Sequence, residues 1–96
     1  MLRIRKGYML RKIVDEWVVV SIGRETSRPQ TFMMLNETGA WLWEMMQAGV
    51  EQAAMAEALA DTYGVDRQQA NSDTAVFVRN LLDNGIAERY GEGKLA

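Results

Sequence analysis

The apolar positions of this chain change period once. Residues 8–14 alternate imperfectly, and residues 17–22 (WVVVSI) are rich in β-branched side chains. Both patterns predict strands. Asp15-Glu16 between them predicts a hairpin. The pair is a poor match to the Asn-Gly or Asp-Gly that two-residue turns prefer, which leaves room for a longer turn. Residues 23–30 (GRETSRPQ) are polar, hold the only proline and read as a loop. Residues 31–35 (TFMML) form a short third predicted strand. Alternation puts Val18, Val20 and Ile22 on one face and Trp17 and Val19 on the other. Thr31, Met33 and Leu35 likewise oppose Phe32 and Met34. Both faces are apolar, whereas a sheet wetted on one side alternates more cleanly.

From Asn36 the period becomes helical. Asn36 suits an N-cap, and Glu37 adds favourable charge to the first turn. The helix that follows carries Ala40, Trp41, Leu42, Trp43, Met45 and Met46 almost without a polar break. Trp41 and Trp43 lie about 200° apart around such a helix and cannot both enter one core. Trp43 is expected in the core with Leu42, Met45 and Met46, and Trp41 toward the sheet or a partner chain. Gly49 marks the end of this helix or caps the next. A second helix, about residues 51–63, places Met55, Leu59 and Tyr63 on one stripe, and its five alanines allow close packing. Gly64 is its expected C-cap. A third helix opens with a capping box over residues 66–69 (DRQQ). Its buried stripe is Ala70, Thr74, Phe77 and Leu81, with Val78 and Leu82 alongside, and Gly85 ends it. The order is therefore three strands, then three helices, in a single α+β domain over residues 1–96. Its core spans about 8–88, and a flexible C-terminal tail follows.

Composition narrows the chemistry. A chain of 96 residues supports one modest core. It has no cysteine and no histidine. Disulfides, thiolate ligands, the commonest general base and the commonest zinc ligand are all missing. The glycines are scattered, so no phosphate-cradling loop is evident. Glu57 and Asp61 are four apart on the second helix, but a solvated face explains them better than acid–base work. No catalytic, metal or cofactor site is predicted, and an enzyme is not expected. No run reaches the ~18 apolar residues of a membrane span. The cysteine usage fits a cytoplasmic protein.

The net charge of −2 hides an asymmetry. Residues 1–30 hold seven basic and three acidic groups, a net +4; residues 31–96 hold four and ten, a net −6. Arg3, Arg5, Lys6, Arg11 and Lys12 cluster near the start. A solubilised edge strand accounts for them better than a nucleic-acid patch.

Three blocks together resemble the PqqD family (pyrroloquinoline quinone biosynthesis protein D). LRKIVDEWVVVSIG is similar to its opening strands, although Asp15-Glu16 stands where glycine is usual. LNETGAWLW matches its Leu-Asn-x-Thr-Gly/Ala block and following apolar-Trp pair through Leu35, Asn36, Thr38, Gly39, Leu42 and Trp43. MAEALADTYGVD and DTAVFVRNLLDNGIAE resemble its last two helices, including Leu59, Tyr63, Asp73, Phe77, Leu81 and Gly85. The resemblance covers about residues 8–88. It implies a winged-helix-like fold, a three-stranded antiparallel sheet followed by three helices. It also implies a peptide-binding adaptor that captures the leader of a precursor peptide. The adaptor would present that peptide to a modifying enzyme, often a radical S-adenosylmethionine enzyme.

The leader would lie as an added strand beside the third strand, in a groove bounded by the third helix. Strand addition takes affinity from main-chain hydrogen bonds and needs no titratable group. The residues expected to serve it are Thr31, Phe32, Met33, Met34, Leu35, Asp73, Val76, Phe77 and Asn80. Periodicity equally allows the other flank of the helix, with Val78 and Leu82. Self-association through the strand edge, giving a homodimer, is a further expectation. The alternative reading is a winged-helix DNA binder. Against it, the third helix offers only Arg67 and Arg79 beside Asp66, Asp73 and Asp83, and duplex binding needs a basic helix.

Overall fold

A computed structural model describes residues 1–21 and 33–91. Ile22, the predicted loop 23–30, Thr31, Phe32 and the tail 92–96 lie outside the described residues. The elements are β1 (Leu2–Ile4), β2 (Tyr8–Ile13), β3 (Glu16–Ser21), β4 (Met33–Leu35), α1 (Glu37–Ala48), α2 (Gln52–Tyr63), α3 (Arg67–Asp83) and β5 (Ala87–Arg89). The expected α+β arrangement is present: β2, β3 and β4 form an antiparallel sheet in that order, followed by three helices. Residues 33–35 of the third predicted strand are β4. The periodicity did not disclose a second, two-stranded sheet that pairs β1 with β5.

Ile13 pairs with Glu16, so the hairpin turn is Val14-Asp15, one residue earlier than Asp15-Glu16. The positive φ of the turn, 59°, falls on Val14. That conformation is uncommon for a β-branched side chain. The register then sorts the two faces. Leu10, Val19 and Met33 align across the three strands and pack into the core, as does Leu35. Met34 stands opposite Val18 on the other face and is 61% exposed. The adjacent methionines thus occupy two different environments, as a period of two requires.

Asn36 caps α1, its side chain accepting the Gly39 N–H at 2.8 Å. Leu42, Trp43 and Met46 are buried together with Met55, Val78 and Leu81, while Met45 packs at the margin. Trp41, like Met45, packs only against the margin of that core. Its ring meets Tyr63 edge to face, with centroids 5.3 Å apart and planes at 85°. Tyr63 therefore departs from the predicted stripe. Met55 and Leu59 are buried, but Tyr63 ends α2 and stays 48% exposed. Gly64, in the left-handed region, donates its N–H to the Ala60 carbonyl and closes the helix.

The capping box of α3 is half formed. Asp66 accepts the Gln69 N–H at 2.8 Å, but the Gln69 side chain donates forward to Asp73, not back to the cap. At the other end Ile86 N–H reaches the Leu81 carbonyl and Gly85 N–H the Leu82 carbonyl, with Gly85 at φ +72°. This is a Schellman closure, and its apolar partners Leu81 and Ile86 are both fully buried. The closure turns the chain into β5. There it pairs with β1, and Leu2, only 1% exposed, joins the core. Leu2 and Val50 also exchange backbone hydrogen bonds of 2.7 and 3.0 Å.

Candidate functional site

β4 has a strand partner on one side only. In the order β2-β3-β4 its outer edge is unpaired among the described residues. An unpaired edge exposes backbone donors and acceptors that an incoming extended segment can complete. The side chains of β4 do different work. Met33 and Leu35 pack inward and fix the strand, and Met34 projects from the outer face. Of the five residues expected on this strand, Thr31 and Phe32 lie outside the described residues.

The chain leaves β4 through Asn36 into α1, and α3 runs across that corner. Between them lies a groove of about 430 Å³ lined by Asn36, Thr38, Gly39, Leu42, Leu59, Asp73, Val76, Phe77 and Asn80. All four expected α3 residues are in it. Burial differs between the two flanks of α3. Val78 is 1% exposed and Leu82 packs on the core, whereas Val76 is 60% exposed and Phe77 half-buried. Leu42 and Leu59 are almost wholly buried beneath this apolar wall. Asn36, Thr38, Asp73 and Asn80 supply the polar groups. The Asp73 carboxylate is oriented by the Gln69 amide, which donates to it at 2.8 Å.

Gly39 matters to this corner. A Cβ on it would come within 3.3 Å of both Asn36 Oδ1 and Leu35 Cβ. Glycine lets the capped turn press against the end of β4. Asn36, Thr38, Gly39, Leu42 and Leu59 were absent from the expected site. Their signal lay in the LNETGAWLW block, which reads locally as a helix start; the groove arises only once α3 crosses it.

The arrangement is suited to holding a chain. It combines an open strand edge, an apolar wall and a few polar groups. Among the described residues no cluster of three or more metal-ligating side chains occurs. No helix there is long and apolar enough to cross a membrane. A larger recess of about 550 Å³ lies along Arg3, Ile4, Arg5, Lys6 and Glu88. Its charges are partly neutralised within the chain: Arg3 Nε bonds Glu88 at 2.7 Å and Arg5 Nε stands 3.8 Å from the same carboxylate.

Residues 16–87 match the family model for coenzyme PQQ synthesis protein D (PqqD). No curated protein matches the chain. Two solved structures share its fold. One is a lasso peptide synthetase B1 complexed with the leader peptide. It is 27% identical, covers 92% of this chain and 98% of its own, and has a TM-score of 0.72. The other is TbiB1 in complex with the TbiA(beta) leader peptide. It is 23% identical, with coverage of 94% and 99% and a TM-score of 0.73, and is similar in fold alone.

Proposed function

The chain belongs to the PqqD family, and from that premise we propose that it is a non-catalytic adaptor for a ribosomally made precursor peptide. The leader of that peptide adds as a strand to the outer edge of β4. Its side chains on one face settle into the groove against Val76 and Phe77, and Asp73 and Asn80 hold polar groups of the same segment. The rest of the precursor is then presented to a peptide-modifying enzyme. The observation that carries this reading is the open edge of β4, followed directly at Asn36 by a groove with both polar and apolar lining. A 27%-identical protein of the same fold, solved with a leader peptide, supports it. Main-chain pairing gives affinity there, and the groove gives selectivity.

The radical S-adenosylmethionine partner expected from the resemblance gains no support from that complex, whose protein is a lasso peptide synthetase B1. The proposal therefore stops at the class of peptide-modifying enzyme. Nothing favours the DNA reading either. Exposed Arg67 and Arg79 share α3 with exposed Asp73 and Asp83, and exposed Asp66 caps it.

The test is fluorescence anisotropy with the labelled leader of the precursor encoded in the same gene cluster. Val76→Glu places a charge on the groove wall at a position 60% exposed. It should weaken binding about tenfold or more while leaving unfolding within about 0.5 kcal/mol. Unchanged affinity in this variant, or no saturable binding by the wild type, would overturn the proposal.

A further inference from the structure

The opposite side of α1 carries a second recess that the peptide groove does not use. About 330 Å³ in volume, it is lined by Trp17, Glu37, Ala40, Trp41, Glu44 and Tyr63. Glu37, Ala40, Trp41 and Glu44 follow one helix face at spacings of three, four and seven. Thr38, Gly39 and Leu42, on the opposite face, line the groove. Ala40 makes room where a larger side chain would fill the recess. Trp41 and Tyr63 form two walls at nearly a right angle, and Trp17 arrives from β3 as a third.

We propose that this aromatic cup is a docking point for a lysine or arginine side chain presented by a partner protein, separate from the peptide groove. Three observations lead there. The faces of Trp and Tyr attract cations, Trp most strongly. The Trp17 ring already takes one within the chain, with Lys12 Nζ 5.3 Å from its centroid. At the rim, the carboxylates of Glu37 and Glu44 have no hydrogen-bond or ion-pair partner among the described residues. An aliphatic side chain would leave both carboxylates without an ion-pair partner.

The occupant should come on a larger body. The recess is at the small end of the range that encloses a whole ligand. One rung beyond the Lys12–Trp17 pair, Ile13 is 51% exposed, and Val14 at the turn is 86% exposed. A side chain in the cup would therefore sit beside an apolar hairpin tip that a protein surface can also cover. The leader strand, on the far edge of β4, is separated from Trp17 by β4 itself.

The chain carries its own reporters. Trp17 and Trp41 line the cup, while Trp43 is fully buried and serves as an internal control. The ¹⁵N-labelled protein is titrated with acetyl-Gly-Arg-Gly-amide and acetyl-Gly-Lys-Gly-amide. Acetyl-Gly-norleucine-Gly-amide is the uncharged comparison. The indole N–H signals of Trp17 and Trp41 should shift saturably with the basic peptides and not with the norleucine peptide. Trp43 should stay still. Tyr63→Ala, and Glu37→Gln with Glu44→Gln, should each weaken the effect roughly two- to fivefold with the spectrum otherwise intact. Equal shifts with norleucine would make the cup a plain apolar recess and overturn the proposal. So would the absence of any shift at Trp17 and Trp41. Loading the leader peptide first should leave the titration unchanged; if it abolishes the shifts, the cup belongs to the leader and not to a second protein.

Discussion

Two tryptophans two positions apart divide the labour of α1. Trp43 is buried among Leu42, Met46, Met55 and Leu81, and Trp41 packs at the margin of that core, where it meets Tyr63. The separation around the helix was legible in the sequence, and so was the membership of Trp43 in the core. The partner of Trp41 was not, because Tyr63 lies 22 positions further along the chain and on another helix. Backbone conformation is equally local in its effect and harder to read. Gly49 has φ +91°, and a Cβ there would collide with the Tyr90 hydroxyl. The Tyr90 ring cannot retreat freely, since Arg3 stacks on it at 4.3 Å. Gly49→Ala should therefore cost about 1–3 kcal/mol, a loss of at least ~4 °C in the melting temperature. Thermal unfolding followed by circular dichroism checks it.

Among the elements, the helices were the easiest to foresee. Their caps are local, and Asn36, Gly64, Asp66 and Gly85 all act where their residue types suggested. The flank of α3 facing the groove was not decidable from periodicity, because both flanks carry apolar residues. Contact with the rest of the molecule decides it, burying Val78 and leaving Val76 open. The same contrast separates β4 from α1 and gives a prediction. Met34 on the strand is 61% exposed and Met46 on the helix is fully buried. Met46→Ala should destabilise by about 2–5 kcal/mol. Met34→Ala should stay within about 0.5 kcal/mol. Urea unfolding of the two variants measures the difference.

At the scale of the whole molecule, the sheet β1-β5 was invisible in the sequence. Each strand has three residues, too few to display a period, and Arg3 bonds a carboxylate 85 positions away. The basic cluster read as a solubilised edge is in part a clasp, with Arg3 and Arg5 both engaging Glu88. It closes the molecule by seating Leu2 under the helices. Leu2→Ala should therefore cost about 2–5 kcal/mol, the loss of a core position, despite its place near the N-terminus. Chemical denaturation checks it, with Arg11→Ala, on an exposed part of β2, expected near neutrality.

On the proposed function, a peptide becomes the next strand of the sheet beyond β4. The most direct measurement is a set of intermolecular NOEs between the ¹⁵N,¹³C-labelled protein and unlabelled leader peptide. Cross-strand contacts are expected from the peptide backbone to the backbone of Met33, Met34 and Leu35, with peptide side chains contacting Val76 and Phe77. A saturated complex whose contacts lie on β2 or on the β1-β5 sheet, leaving β4 and α3 untouched, would contradict it.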